Sequence, residues 1–441
     1  MKKLDLDTIV TVRSAHRPGT MGRLMTAIGD VGGIIGDLKT VRLAHDHSIR
    51  EMNVESEDRA HFDRILVAIR AVEGVEVLEV EERVFKKHEK GKIEVRSRVP
   101  VNDVSDLRDL YTPGVARVCL AIKENPELAA KYTAIPNTIA IVTNGTRVLG
   151  LGDIGPLAAA PVMEGKAVLY DLLAGIGAYP ILLKTKDPKK FIETVEEIAT
   201  SFGGIHLEDI ATPECFEIER VLDERLGIPV MHDDQHGTAC AALSALITGC
   251  ARTGVALKSA VVGVLGQGAA GSAIAALMIR YGVGKVVVFD PKPAATRHVV
   301  ERGGEALSFD EVIARSDVLV TATGKAGLIG PEKIRKGSIV LSLTNPAPEI
   351  EPEVALAAGA RLAADGALIN NALAFPGLFK GALKTRARTI NWEMKIAAAE
   401  AIASQADEEI VPDVLSPAVH EAVTAAVAAA AVRTGVARTT G

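Results

Sequence analysis

Two pairs of adjacent carboxylates, Glu208-Asp209 and Asp233-Asp234, are the residues of this chain best placed to do chemistry. Each pair follows an apolar, strand-like run, and a helix-like stretch from Pro213 to Leu226 separates them. Either pair alone reads as a solvated acidic turn. Together they ask for a cation, because carboxylates packed side by side repel one another until a positive charge neutralises them. Ligands that are all oxygen favour a hard ion, Mg²⁺ or Mn²⁺, over zinc. His206, His232 and His236 flank the acids and invite a zinc site instead.

The second constellation is a glycine fingerprint, Gly266-Gln267-Gly268-Ala269-Ala270-Gly271. It follows the apolar strand Ala260 to Leu265 and opens a helix over Ser272 to Tyr281. A further strand, Lys285 to Phe289, then ends in Asp290. This is the full context of a dinucleotide site: the first glycine makes the tight turn, the second admits the pyrophosphate, and the third lets the helix pack closely. Asp290 can bind both ribose hydroxyls and repel a 2′-phosphate, which favours NAD over NADP; Lys292 and Arg297 weaken that preference. The same pattern recurs at Gly150-Leu151-Gly152-Asp153-Ile154-Gly155, but Pro156 and Pro161 follow and no clear βαβ unit with an acidic end is visible. That copy reads as a glycine-lined turn shaping a substrate pocket.

The elements that must position these groups follow from the whole chain. Its 441 residues suffice for two or three domains, and 48% hydrophobic, 3% aromatic residues and 40 glycines point to an Ala/Val/Gly-rich α/β protein. Fifty Lys and Arg against 56 acidic residues, a net charge of −6, leave no basic footprint for nucleic acid. Cys119, Cys215, Cys240 and Cys250 lack CxxC spacing, which predicts reduced, mostly buried thiols and a cytoplasmic protein. The charged start Met1 to Asp5 has no signal-like apolar region, and no apolar run reaches the roughly 18 residues of a membrane span.

Residues 1–88 alternate as βαββαβ: strands at Thr8–Val12, Ile34–Leu43, Ser48–Val54 and Val75–Val84, with helix faces Met21/Leu24/Met25/Ile28 and Phe62/Ile65/Leu66/Ile69. The charged stretch Lys86 to Lys92 reads as a linker. Residues 93–237 form a second α/β unit, and residues 238–441 a doubly wound one closed by an Ala-rich terminal helix.

The first segment resembles the ACT family of small regulatory modules, with Arg17-Pro18-Gly19-Thr20-Met21-Gly22 where such modules often bind an amino acid. From about residue 97 to 430 the chain resembles the malic enzymes. The matching stretches are Tyr111 to Ala116, Gly150 to Leu157, Pro161 to Ala167, Phe202 to Ile210, His232 to Thr238, Thr344-Asn345-Pro346, and Asn370-Asn371 before Phe375-Pro376-Gly377.

That resemblance implies NAD-dependent oxidative decarboxylation of L-malate to pyruvate and CO₂, with decarboxylation of oxaloacetate as well. It assigns Glu208, Asp209 and Asp234 to the divalent metal, Lys166 to the base at the C2 hydroxyl, and Tyr111 to the acid that protonates the enol. Asp233 tunes and orients the lysine. Arg147, Asn345, Asn370 and Asn371 match substrate-binding positions, and Asn345 also faces the nicotinamide. The family pattern makes the three histidines supports rather than ligands. For the lysine to act near neutral pH, burial or a nearby cation must lower its pKa. The resemblance also implies a homo-oligomer, dimer or tetramer, with a small-molecule effector at the ACT-like segment. Two other readings remain open: a malolactic-type enzyme that keeps its NADH, and a non-catalytic sensor built from ACT and Rossmann modules.

Overall fold

The computed structural model describes residues 6–148 and 150–439, and the chain divides into two units, Met1–Glu94 and Val95–Gly441. The first unit runs β1(Leu6–Ala15), α1(Thr20–Asp30), β2(Ile34–Leu43), β3(His47–Ser56), α2(Arg59–Arg70), β4(Val75–Glu82), the βαββαβ order read from the sequence. Its strands lie in the order β2-β3-β1-β4, all antiparallel. Alternation puts Val10, Val12, Met52 and Val54 on one face, where they bury Leu24 and Ile28 of α1 and Phe62, Ile65 and Ile69 of α2. One expectation fails here. The last strand stops at Glu82, and Arg83–His88 forms a short helix, α3, rather than more strand and a linker. Local contacts favour it: Lys86 pairs with Glu81, and His88 Nδ1 lies 2.7 Å from the Val84 carbonyl one turn back.

The second unit begins with α4(Val104–Leu110), α5(Val115–Glu124) and α6(Ala129–Tyr132). A four-stranded parallel sheet follows, of β5(Thr138–Thr143), β6(Gly177–Leu182), β7(Gly204–Leu207) and β8(Val230–His232), in the order β6-β5-β7-β8. Its crossovers are α7(Pro156–Ala174), α8(Pro188–Ile198) and α9(Glu214–Leu226). Every residue of β5 is buried, as its unbroken run of small and branched side chains requires of a strand covered on both faces.

From β8 the chain passes directly into α10(Asp233–Thr253), so the 237/238 point lies inside a helix. A second sheet comprises β9(Val261–Leu265), β10(Lys285–Phe289), β11(Glu305–Ala306), β12(Val318–Thr321), β13(Ile339–Ser342) and β14(Leu362–Asp365), all parallel. The order β11-β10-β9-β12-β13-β14 is that of a doubly wound dinucleotide fold. It carries α11(Ala269–Tyr281), α12(Pro293–Val300), α13(Phe309–Arg315) and α14(Pro352–Ala357). Finally α15(Phe375–Lys384), α16(Trp392–Ser404) and the Ala-rich α17(Pro417–Arg433) return to pack on α7 and α10. A single apolar core therefore joins Ile139 and Met163 of the first sheet region to Val262 of the second and Val423 and Val427 of α17. Among the described residues, no helix is long and apolar enough to cross a membrane. Cys215, Cys240 and Cys250 are buried, Cys119 is exposed, and all four are free.

The α15–α17 crossing depends on two small residues. A Cβ on Gly377 would meet Val423 Cγ1 at 2.5 Å, and one on Gly381 would meet Val427 Cβ at 2.7 Å. Gly381→Val should therefore overpack the core and cost about 1–3 kcal/mol. Thermal or urea unfolding of the variant checks this; an unchanged midpoint would mean that α17 does not seal the core as described.

Candidate active site

Parallel pairing of β7 and β8 sets Leu207 opposite His232. The residues just past those two strand ends are the four acids, so a gap of more than twenty residues in the chain closes to contact in space. Glu208, Asp209 and Asp234 each place an oxygen within 4.8 Å of the others. The two pairs are also bonded directly: Asp209 N–H donates to Asp234 Oδ2 at 2.9 Å, and the Asp209 carbonyl accepts from Arg147 N–H at 3.1 Å. Asp209 sits at φ 55°, in the left-handed region that L residues other than Asn and Asp seldom adopt. Asp233 and Asp234 form the first turn of α10, where the helix dipole favours negative charge.

Lys166 reaches this cluster from α7. Its Nζ lies 2.5 Å from Asp233 Oδ2 and 3.2 Å from Glu208 Oε1, and 4.5 Å above the Phe375 ring. Gly237, one turn into α10, keeps the space open; a Cβ there would stand 1.8 Å from Asp233 Oδ1.

The charges do not balance. Four buried or half-buried carboxylates face one buried ammonium. Burial pushes Asp233 up to about 6 and raises Glu208 as well, although Lys166 opposes both shifts. Asp234, which burial would also raise, is instead held down to about 2 by His232 and Lys166. Lys166 itself is raised: burial works to lower it, but Asp233 and Glu208 outweigh that effect. Of the two agents expected to lower the lysine, burial acts in the expected direction but does not suffice, which leaves the nearby cation. A carboxylate set with too little positive charge, all oxygen and within ligating reach, fits a hard divalent cation.

The histidines stand behind the acids. His206 Nε2 is 2.5 Å from Glu208 Oε2 and its Nδ1 is 2.8 Å from the Tyr170 hydroxyl; burial drives its pKa down to about 3, so the ring is neutral. His232 Nε2 lies 3.2 Å from Asp234 Oδ2. Glu219 of α9 accepts from His232 N–H at 2.8 Å and from Gln235 Nε2 at 2.9 Å, and pairs with His236. Neither Tyr170 nor Glu219 stood out in the sequence. Tyr170 follows Lys166 by four residues, hence on the same helix face, and Glu219 falls on the buried face with Cys215, Ile218 and Leu222.

The glycine fingerprint has the form its spacing predicts. Gly266 is left-handed at φ 86°, and a Cβ there would meet the Ala322 carbonyl at 2.5 Å. Gly268 faces open space, and a Cβ on Gly271 would fall 1.8 Å from the Gly266 carbonyl. The helix starts at Ala269, with Ala270 and Gly271 in its first turn. Gln267 turns inward, its Nε2 donating to the Gly266 carbonyl at 2.9 Å. Asp290 stands at the end of β10 and accepts from Gln267 N–H and Lys292 N–H, both at 2.8 Å, so the acid also braces the turn. The other GxGxxG needs a correction. It does lie in a βαβ unit, β5–α7–β6, because Pro156 occupies the first turn of α7 where no amide donor is needed. Even so, β6 ends at Leu182 without an acid.

Arg147, Asn345, Asn370 and Asn371 lie on the segments that follow β5, β13 and β14. Arg147 is exposed, with its guanidinium beside Gly324, and Gly150 packs near the Asn345 carbonyl, so loops of both sheets meet there. Asn345 is exposed and donates to the Gly366 carbonyl at 3.3 Å. Asn371 lies against Gly237 beside Asp233, whereas Asn370 spends its Oδ1 capping Ala372 N–H. Glu349, which spacing did not reveal, is fully buried and accepts from Thr323 N–H (2.6 Å), Thr323 Oγ1 (2.8 Å) and Thr344 Oγ1 (2.7 Å), tying together the loops after β12 and β13. Tyr111, unlike the buried or half-buried cluster residues, is 67% exposed at the end of α4.

Comparisons with known proteins agree with this geometry. Residues 90–223 match the malic enzyme N-terminal domain, residues 285–438 the malic enzyme NAD binding domain, and residues 239–327 the NAD binding domain of D-isomer specific 2-hydroxyacid dehydrogenases. The chain is 48% identical over 417 residues to NAD-dependent malic enzyme 1 of Bacillus subtilis, covering 94% of this chain and 95% of that protein. It is 43% identical to a bifunctional malic/malolactic enzyme of the same organism, over 80% of this chain and 93% of that one. The crystal structure of malic enzyme from Pyrococcus horikoshii superposes with a TM-score of 0.74 at 42% identity, covering 79% of this chain and 88% of that chain.

Because Gly271 has no room for any side chain, Gly271→Ala should distort the turn and weaken NAD binding about tenfold or more, about 1.4 kcal/mol. Calorimetric titration with NAD checks this, and an unchanged Kd would remove the turn from the cofactor site.

Proposed function

The chain belongs to the malic enzyme family, and from this premise we propose that it catalyses NAD-dependent oxidative decarboxylation of L-malate to pyruvate and CO₂. The observation that carries the reading is Lys166 Nζ, buried between Asp233 and Glu208 at the edge of a three-carboxylate cluster. Lys166 Nζ, 2.5 Å from Asp233 Oδ2, is placed to take a proton from the C2 hydroxyl as C2 gives up its hydride; Asp233 orients it, and a cation at the cluster would offset the pull of the carboxylates that otherwise keeps it protonated. The turn from Gly266 to Gly271 and Asp290 would hold NAD, which would supply the hydride acceptor. Glu208, Asp209 and Asp234 would hold a Mg²⁺ or Mn²⁺ ion, which would supply positive charge for the oxygen at C2. Tyr111 then gives a proton to C3. Arg147, Asn345 and Asn371 hold the substrate's carboxylates and the nicotinamide side of the cleft, and Asn370 caps the segment carrying Asn371. Decarboxylation of oxaloacetate would call on the same carboxylates and the same protonation by Tyr111.

Tyr111 belongs to a face that solvent does not suit. No residue of α4 or α5 is buried, and Val104, Leu107 and Leu120 are each at least half exposed. A second copy of the chain covers that face, which makes the protein a homo-oligomer and brings Tyr111 to its neighbour's pocket. The βαββαβ unit is an ACT-like regulatory module in this reading. Its α1 opens at Gly19, left-handed at φ 83°, where main-chain amides can approach a small effector's carboxylate. Four cysteines without a disulfide support a cytoplasmic location. A malolactic outcome is the second reading, favoured by the identity to the bifunctional relative.

Malate, NAD and Mn²⁺ should give free NADH and pyruvate, and leaving out Mn²⁺ should abolish turnover. Lactate without free NADH would favour the malolactic reading, and no turnover with intact NAD binding would favour a sensor. Mixing Lys166→Ala and Tyr111→Phe subunits by refolding should restore about a quarter of wild-type activity if each tyrosine serves the other copy. No recovery in confirmed hybrids would place Tyr111 in its own subunit's site.

A further inference from the structure

Behind Glu208 stands a chain of two buried rings. Tyr170 of α7 and His206 of β7 are both fully buried. The Tyr170 hydroxyl lies 2.8 Å from His206 Nδ1, and His206 Nε2 lies 2.5 Å from Glu208 Oε2. Aromatic neighbours hold the two rings in place. Tyr170 meets Phe375 and Phe379 edge-on at 4.9 and 5.8 Å, while His206 stacks on Phe379 at 5.8 Å and meets Phe375 edge-on at 5.5 Å.

Chemistry sets the direction of this chain. A carboxylate in place to ligate a cation can only accept, so the nitrogen that faces it, His206 Nε2, carries hydrogen and donates to Glu208. The Tyr170 hydroxyl is a donor 2.8 Å from the other nitrogen, which makes Nδ1 the acceptor. Without the tyrosine the ring could take its other tautomer, which would turn a lone pair toward the carboxylate.

We propose that Tyr170 and His206 are positioning residues that lock Glu208 in its cation-binding orientation, with Oε2 engaged from behind and Oε1 left on the side of Lys166. This rests on the reading of Glu208 as a metal ligand. Both residues act through Glu208 and touch no reacting atom. Tyr170 lies one helical turn from Lys166, so one face of α7 supplies the base and, through His206, steadies a ligand of the cation.

Mn²⁺ binding to the metal-free full-length protein, measured by calorimetry or electron paramagnetic resonance, tests this separately from turnover. Tyr170→Phe and His206→Leu should each raise the Mn²⁺ Kd about 10–100-fold. His206→Gln, whose amide can both donate to Glu208 and accept from Tyr170, should stay within a few-fold of wild type. In the wild-type apoprotein, ¹⁵N shifts of the His206 imidazole should report the Nε2–H tautomer. An unchanged Kd in folded Tyr170→Phe, a loss in His206→Gln equal to that in His206→Leu, or an Nδ1–H tautomer would each overturn the proposal. Glu208→Gln serves as the control: if it leaves Mn²⁺ binding intact, the ligand reading itself fails. If it abolishes binding while the ring variants do not, only the positioning role fails.

Discussion

The mutual repulsion of four carboxylates around one lysine is the constraint on which the rest of this structure depends. Burial alone makes such a cluster unfavourable, since each charge leaves water and finds its neighbours of like sign. The protein counters this with placement. Asp233 and Asp234 open α10 and face its positive end; Asp234 takes the Asp209 amide; Asp233 and Glu208 divide Lys166 between them. What remains is a deficit of positive charge confined to one spot, which is the property a cation site needs.

Holding that spot rigid calls on elements far outside it. The parallel register of β7 and β8 brings the acids together, α7 delivers Lys166 and Tyr170 on one face, and α9 contributes Glu219 to clamp His232 and Gln235. The terminal helices matter for the same reason. Phe375 and Phe379 of α15 wall in the lysine and the Tyr170–His206 pair, and α17 presses α15 into place across Gly377 and Gly381. Chemistry at the first sheet thus depends on packing at the end of the chain.

The cofactor side repeats the principle with a different charge. Asp290 and Glu349 are acids whose partners are main-chain amides and hydroxyls rather than cations. Each ties two loops at the same edge of the doubly wound sheet, Asp290 the fingerprint turn and Glu349 the loops after β12 and β13. The edge that must hold a dinucleotide is therefore stiffened by buried or half-buried carboxylates before any ligand arrives.

Local signals sufficed for much of this. The acidic pairs, the fingerprint with its following strand and acid, the βαββαβ alternation and the Ala-rich terminal helix depend on spacing and periodicity, which a linear chain displays directly. Periodicity misjudged the residues from Arg83 to His88, where side-chain contacts rather than an apolar pattern make the helix, and the first GxGxxG, where Pro156 sits in the opening turn of α7 and Pro161 inside the same helix. Other features exist only in three dimensions. The rise in the Lys166 pKa, the support of Glu208 by Tyr170 and His206, the clamp at Glu219 and the buried Glu349 each depend on which distant groups become neighbours. Residue types and their spacing determined what chemistry was available; burial and strand register, which act across the chain, decided which charges meet and which protons stay.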